Sequence, residues 1–162
     1  MGHAVYTLSD PRAILLKEYA KELKSAGVTA VNISLDTTDR EQFKEITGYD
    51  GLYKVFEGIE ECERVGLSPI RLNAVLTRGK NENEAENLIK IARDRKIDVR
   101  FIELMPFSKQ GETRELVVKT PELLEKFPFL VKDENTEEGA AVYYTAEGFQ
   151  GRIGFISPRS GK

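Results

Sequence analysis

Three short stretches place charged or amide side chains inside otherwise apolar runs: "AVNISLD" (30–36), "PIRLNAVL" (69–76) and "VRFIELMPF" (99–107). Side chains of a strand alternate between two faces. The first stretch then turns Val31, Ile33 and Leu35 one way and Asn32, Ser34 and Asp36 the other. The second opposes Leu72, Ala74 and Leu76 to Arg71, Asn73 and Val75, and the third opposes Val99 and Phe101 to Arg100 and Ile102. A polar group buried unpaired costs roughly 1–3 kcal/mol, and a charge costs more. Arginine cannot escape that cost by losing its proton. Arg71 and Arg100 facing a hydrated, ligand-filled hollow would suit a polyphosphate or carboxylate through bidentate hydrogen bonds. An alternative fits the pattern equally well: the two guanidiniums pair with Asp36 or Glu103 and serve structure alone. Asn73 and Ser34 have a local reading as well, as caps bonded to neighbouring backbone.

Other chemistries are poorly supplied. His3 is the only histidine, in a leading Met-Gly-His that reads as an expression scar, and Cys62 is the only cysteine. Zinc sites, Ser-His-Asp triads and internal disulfides therefore lack their residues. Cys62 falls in a helical pattern and reads as a helix residue without a chemical role. None of the three strands carries the lysine or histidine expected of an aldolase-like barrel. The net charge of −3 offers no general attraction to nucleic acid or acidic lipid. No apolar run approaches the roughly 20 residues a membrane helix requires. With one cysteine and no secretory signal, a cytoplasmic location is expected.

The elements that must position these residues alternate. Ser9 and Asp10 offer caps, Pro11 a first turn and Gly27 a stop for a helix with Ile14, Leu15, Tyr19, Leu23 and Ala26 along one stripe. "TDREQFKEITG" predicts a short helix with Thr38 and Glu41 in capping-box spacing. "GLYKVFEGIEECERVG" and "ENEAENLIKIARDRK" predict two more helices, the former closed by Gly66. Strands separated by helices imply right-handed βαβ units and a parallel sheet. After Pro106 the rhythm breaks. "TPELLEKF" predicts a helix capped by Thr120, and strands follow in "FLVKDENTEEGAAVYYTAEG" and "GRIGFIS". The fold class expected is α/β: part of a (β/α) TIM-type barrel over 11–107, a small antiparallel appendage over 108–162, and an irregular or foreign segment over 1–10.

At this level of detail "AGVTAVNISLDTTDREQFKEITG", "GLSPIRLNAVLTRGKNENE", "DVRFIELMPF" and "GRIGFISPRSGK" resemble MoaA-type GTP 3′,8-cyclases. These are radical S-adenosylmethionine enzymes of molybdenum-cofactor biosynthesis. The four segments match in order, between about Ile14 and Lys162. The resemblance implies S-adenosylmethionine and two 4Fe–4S clusters as cofactors, and GTP as the substrate rearranged into the cyclic pyranopterin precursor. It places Ser34 and Met105 against S-adenosylmethionine, and Arg71 and Arg100 against GTP. Asn32, Asn73, Asp36 and Glu103 become candidates for a surrounding shell.

The same resemblance implies a CxxxCxxC loop and further C-terminal cysteines, and neither occurs in this sequence. The expectation is a piece of such an enzyme, inactive alone and without a stably bound cofactor. The alternative is a non-catalytic binding or scaffold module derived from the same barrel. The strand "AVNISL" is expected to expose an unpaired edge and to associate with another copy or with the tail strands.

Overall fold

The computed structural model describes residues 4–8, 12–103, 116–138 and 141–157. They group into two compact units, Met1–Asn73 and Ala74–Lys162. Ser9, Asp10, Pro11, Met105 and Pro106, all singled out above, lie outside the described residues.

The first unit alternates as expected, with one strand more. β1 spans Ala4–Leu8, α1 Leu16–Ser25, β2 Val28–Ser34, α2 Arg40–Thr47, α3 Leu52–Val65 and β3 Ile70–Ala74. β1 corrects two expectations. Residues 4–8 are regular rather than irregular, and they pair in parallel with β2, so "AVNISL" has strand neighbours on both sides. The physical reason is a short β-branched and aromatic run, "AVYTL", whose Leu8 reaches the core at 1% exposure.

Helix ends follow local chemistry. A short 3₁₀ turn, Arg12–Leu15, leads into α1. Asp39, not Thr38, caps α2: its carboxylate accepts the Glu41 and Gln42 N–H groups at 2.8 and 3.1 Å. Thr37 Oγ1 accepts the Asp39 N–H in turn. α2 and α3 stop at Gly48 and Gly66, both with positive φ, where a side chain would be strained. α1 docks on α3 through a glycine. A Cβ on Gly58 would lie 2.7 Å from Leu16 Cβ, so only glycine lets the helices approach this closely. The buried face of this region is Ala13, Leu16 and Ala20. The expected stripe of Ile14, Leu15, Tyr19, Leu23 and Ala26 is instead partly or fully exposed.

In the second unit a 3₁₀ turn at Glu82–Glu84 runs into α4, Ala85–Asp94. β4 spans Asp98–Ile102, α5 Thr120–Lys126, β5 Val131–Glu138, β6 Ala141–Thr145 and β7 Ile153–Ile156. The tail strands are antiparallel, as expected. β7 also pairs in parallel with β4, Arg100 opposite Gly154, which makes the tail hairpin a continuation of the β4 sheet. Thr120 is the first residue of α5 and is not its side-chain cap. Among the described residues no helix is long and apolar enough to cross a membrane.

Candidate nucleotide-binding strand faces

In all three stretches the alternation is observed. Val31, Ile33, Leu72, Ala74, Val99 and Phe101 are buried, while Asn32, Ser34, Arg71, Asn73, Arg100 and Ile102 are only partly so. One face of each strand therefore packs into the core, and its polar face keeps access to solvent.

In the first unit the parallel register sets Asn32 beside Arg71 and Ser34 beside Asn73. Arg71 Nη1 donates to Asn32 Oδ1 at 3.0 Å. The Asn32 amide thus helps to orient the guanidinium. The main chain ties the ends of the two strands together, the Leu35 N–H donating to the Asn73 carbonyl at 2.9 Å. Asp36 follows just beyond β2 and is half-buried.

In the second unit Arg100 sits in a slot that sequence reasoning did not find. Gly154 lies opposite it on β7, and Tyr143 of β6 pairs with the same glycine. A Cβ on Gly154 would stand 2.9 Å from Tyr143 Cε1 and 3.1 Å from Arg100 Cγ. Glycine is what leaves room for the arginine stem beside a fully buried ring. The Arg152 guanidinium stacks over Tyr143 at 3.8 Å from the ring centroid. Arg152 is held by Asp98, whose Oδ1 accepts the Arg152 N–H at 2.9 Å and whose Oδ2 accepts Nη2 at 2.7 Å. The only signal in sequence was the glycine pair of "GRIG", whose partner strand is some fifty residues away.

Glu103 has structural work of its own. Its carboxylate accepts the Thr120 N–H at 2.8 Å and the Ser157 hydroxyl at 3.4 Å, joining the end of β4 to α5 and to the segment after β7. It thereby satisfies one of the donors that a helix start leaves open. Arg78 steadies the same helix through a two-pronged bond to Glu122, which holds the Glu122 carboxyl below its usual range. Asn81, almost fully buried, accepts the Thr77 N–H and donates to the Val75 carbonyl, fixing the loop after β3.

The donor set does not suit an iron–sulfur cluster. Such a cluster needs several thiolates. Cys62, the single cysteine, is wholly buried on α3, and burial, with help from Glu61 and Glu63, pushes its thiol up to about 12. It remains a protonated core residue at neutral pH. Among the described residues no group of three or more His, Cys, Asp or Glu is placed to hold a metal ion.

Parallel βα units with polar strand faces define a class, and comparison with known families agrees. The Radical SAM superfamily profile matches residues 4–92, more than half of the chain, and the chain belongs to that superfamily. The matched region begins at Ala4 and so includes β1. Among curated proteins, the chain is 43% identical over 148 residues to a GTP 3′,8-cyclase of Alkaliphilus oremlandii, covering 91% of this chain and 46% of that protein. It is 44% identical to the GTP 3′,8-cyclase of Peptoclostridium acidaminophilum, with 90% and 46% covered. A third, from Clostridium acetobutylicum, is 39% identical over 150 residues. The chain spans a little under half the length of these relatives.

Proposed function

We propose that this chain is the nucleotide-holding portion of a radical SAM GTP 3′,8-cyclase, cytoplasmic and acting in molybdenum-cofactor biosynthesis. In this reading Arg71 and Arg100 each bond the phosphates of GTP, while Ser34 and Met105 lie against S-adenosylmethionine. The observation that carries it is the placement of arginines on half-buried polar strand faces in a chain 43% identical to a GTP 3′,8-cyclase. Asn32 supports it by holding the Arg71 guanidinium in place before any ligand arrives, which lowers the entropy lost on binding. The whole enzyme would use S-adenosylmethionine and iron–sulfur clusters to turn GTP into the cyclic pyranopterin precursor. This chain's own part is binding and orienting the nucleotide, because its cysteine complement does not fit a cluster.

Isothermal titration of the chain with GTP tests this. Binding is expected to be weak, with Kd on the order of millimolar. Arg71→Ala and Arg100→Ala should each weaken it about tenfold, the loss expected of one charge-assisted bond to phosphate. Heat signals that both variants leave unchanged, or no binding at all to the folded chain, would favour the scaffold-module reading.

A further inference from the structure

Arg71 and Arg100 are steadied by different means. Arg71 is oriented at its head, with help from the Asn32 amide. Arg100 is flanked along its stem. The point that a Gly154 Cβ would take lies 3.1 Å from Arg100 Cγ, and 2.9 and 3.2 Å from Tyr143 Cε1 and Cδ1. The arginine methylenes and a ring edge therefore share the gap that this glycine leaves on β7. The ring has little freedom to give way. Tyr143 is wholly buried, and its backbone pairs with Gly154. The Arg152 guanidinium covers it at 3.8 Å from the ring centroid. Asp98 Oδ2 holds that guanidinium in turn, accepting Nη2 at 2.7 Å and Nε at 3.3 Å. On the opposite face of the same strands Phe155 stacks on Phe101 at 5.9 Å and meets Tyr144 edge-on at 5.4 Å, which resists sliding of β4, β7 and β6 past one another.

We propose that Tyr143 is a positioning residue for Arg100: its ring is the wall that keeps the arginine stem in one rotamer, so that the guanidinium meets an anionic ligand already aimed. The proposal rests on the reading of Arg100 as a phosphate ligand. An unrestrained arginine stem rotates about several bonds, and fixing it at the moment of binding lowers affinity. A wall of ring carbons removes that loss through the methylenes alone and uses none of the N–H donors that a phosphate accepts from. The ring rather than the hydroxyl does this, since ring carbons line the gap. A tyrosine that merely fills the core would stabilise the second unit and leave Arg100 no more effective as a ligand.

Nuclear magnetic resonance on the ligand-free chain and its variants tests this. Unsubstituted chain should show cross-peaks between the Tyr143 ring protons and the Arg100 methylenes, and Arg100 Nε–Hε relaxation typical of an ordered side chain. A disordered Arg100 there would overturn the proposal without any substitution that could disturb folding. Tyr143→Phe should keep Arg100 ordered, and Tyr143→Leu, with its backbone amide spectrum still dispersed, should free it. Titration with GTP gives the second readout. Arg100→Ala should weaken binding about tenfold in the unsubstituted and Tyr143→Phe backgrounds, and less than about twofold beside Tyr143→Leu, because the two sites are coupled. Arg71→Ala, the control, should cost about tenfold in all three backgrounds. An undiminished effect of Arg100→Ala beside Tyr143→Leu would overturn the proposal, and so would Tyr143→Phe behaving like Tyr143→Leu, since the hydroxyl would then be the positioning group. A chain that binds no GTP overturns the phosphate reading instead, while an Arg100 that only Tyr143→Leu frees still supports the positioning role.

Discussion

Gly151→Ala is expected to cost the second unit about 3 kcal/mol or more, at the severe end of overpacking. Gly151 is buried against the backbone of Ile97. A Cβ there would stand 2.6 Å from the Ile97 carbonyl carbon and 2.9 Å from its nitrogen, with the carbonyl oxygen nearer still. Neither atom belongs to a side chain that can rotate away, so the main chain itself must move. Movement is resisted from the other side. The Gly151 and Gln150 N–H groups both donate to the Ala92 carbonyl, at 2.8 and 3.2 Å, and Gln150 Nε2 donates to the Asp94 carbonyl at 2.9 Å. These bonds occupy carbonyls that the end of α4 leaves open. Urea denaturation should show a much lower midpoint for the variant with an unchanged slope. A shift near that of an ordinary surface substitution, under about 0.5 kcal/mol, would mean the close approach is not real.

Asp98→Ala ranks second. The Asp98–Arg152 pair is mostly buried, with side-chain exposures of 12% and 24%. Removing a partner of a fully buried pair costs roughly 3–5 kcal/mol, and partial exposure here lowers the expectation to about 2 kcal/mol. The loss has two parts. The Arg152 N–H before β7 gives up its Asp98 acceptor, and the guanidinium over Tyr143 loses the Asp98 carboxylate. Replacing both residues, Asp98→Ala with Arg152→Met, should recover part of the loss, because no charge is then left half-buried. A double variant that simply adds the two single effects would show that the pair is not coupled.

The strand faces were legible because their signal is local: period two in burial survives whatever packs on top. The helix stops at Gly48 and Gly66 were equally local. Capping-box spacing favours Thr38, and Asp39 caps the helix because its carboxylate reaches two N–H groups at once. The α1 stripe misled for another reason. An apolar face reads as buried, and here part of it is uncovered within the described residues. Glu103, Gly151 and Gly154 were illegible in principle, since each is explained by a partner between about 17 and 60 residues away. Glu103 accepts from a backbone amide and a hydroxyl that only the folded chain brings within its reach.

The central claim is that Arg71 and Arg100 are nucleotide-phosphate ligands. The most direct measurement follows the arginine Nε–Hε resonances of the chain by nuclear magnetic resonance during titration with GTP, and again with guanosine. GTP should shift the signals of Arg71 and Arg100, together with the backbone amides of Asn32 and Asn73, while guanosine leaves the two guanidiniums unmoved. Equal shifts with guanosine, or GTP-induced shifts confined to surface lysines and arginines elsewhere, would contradict the account.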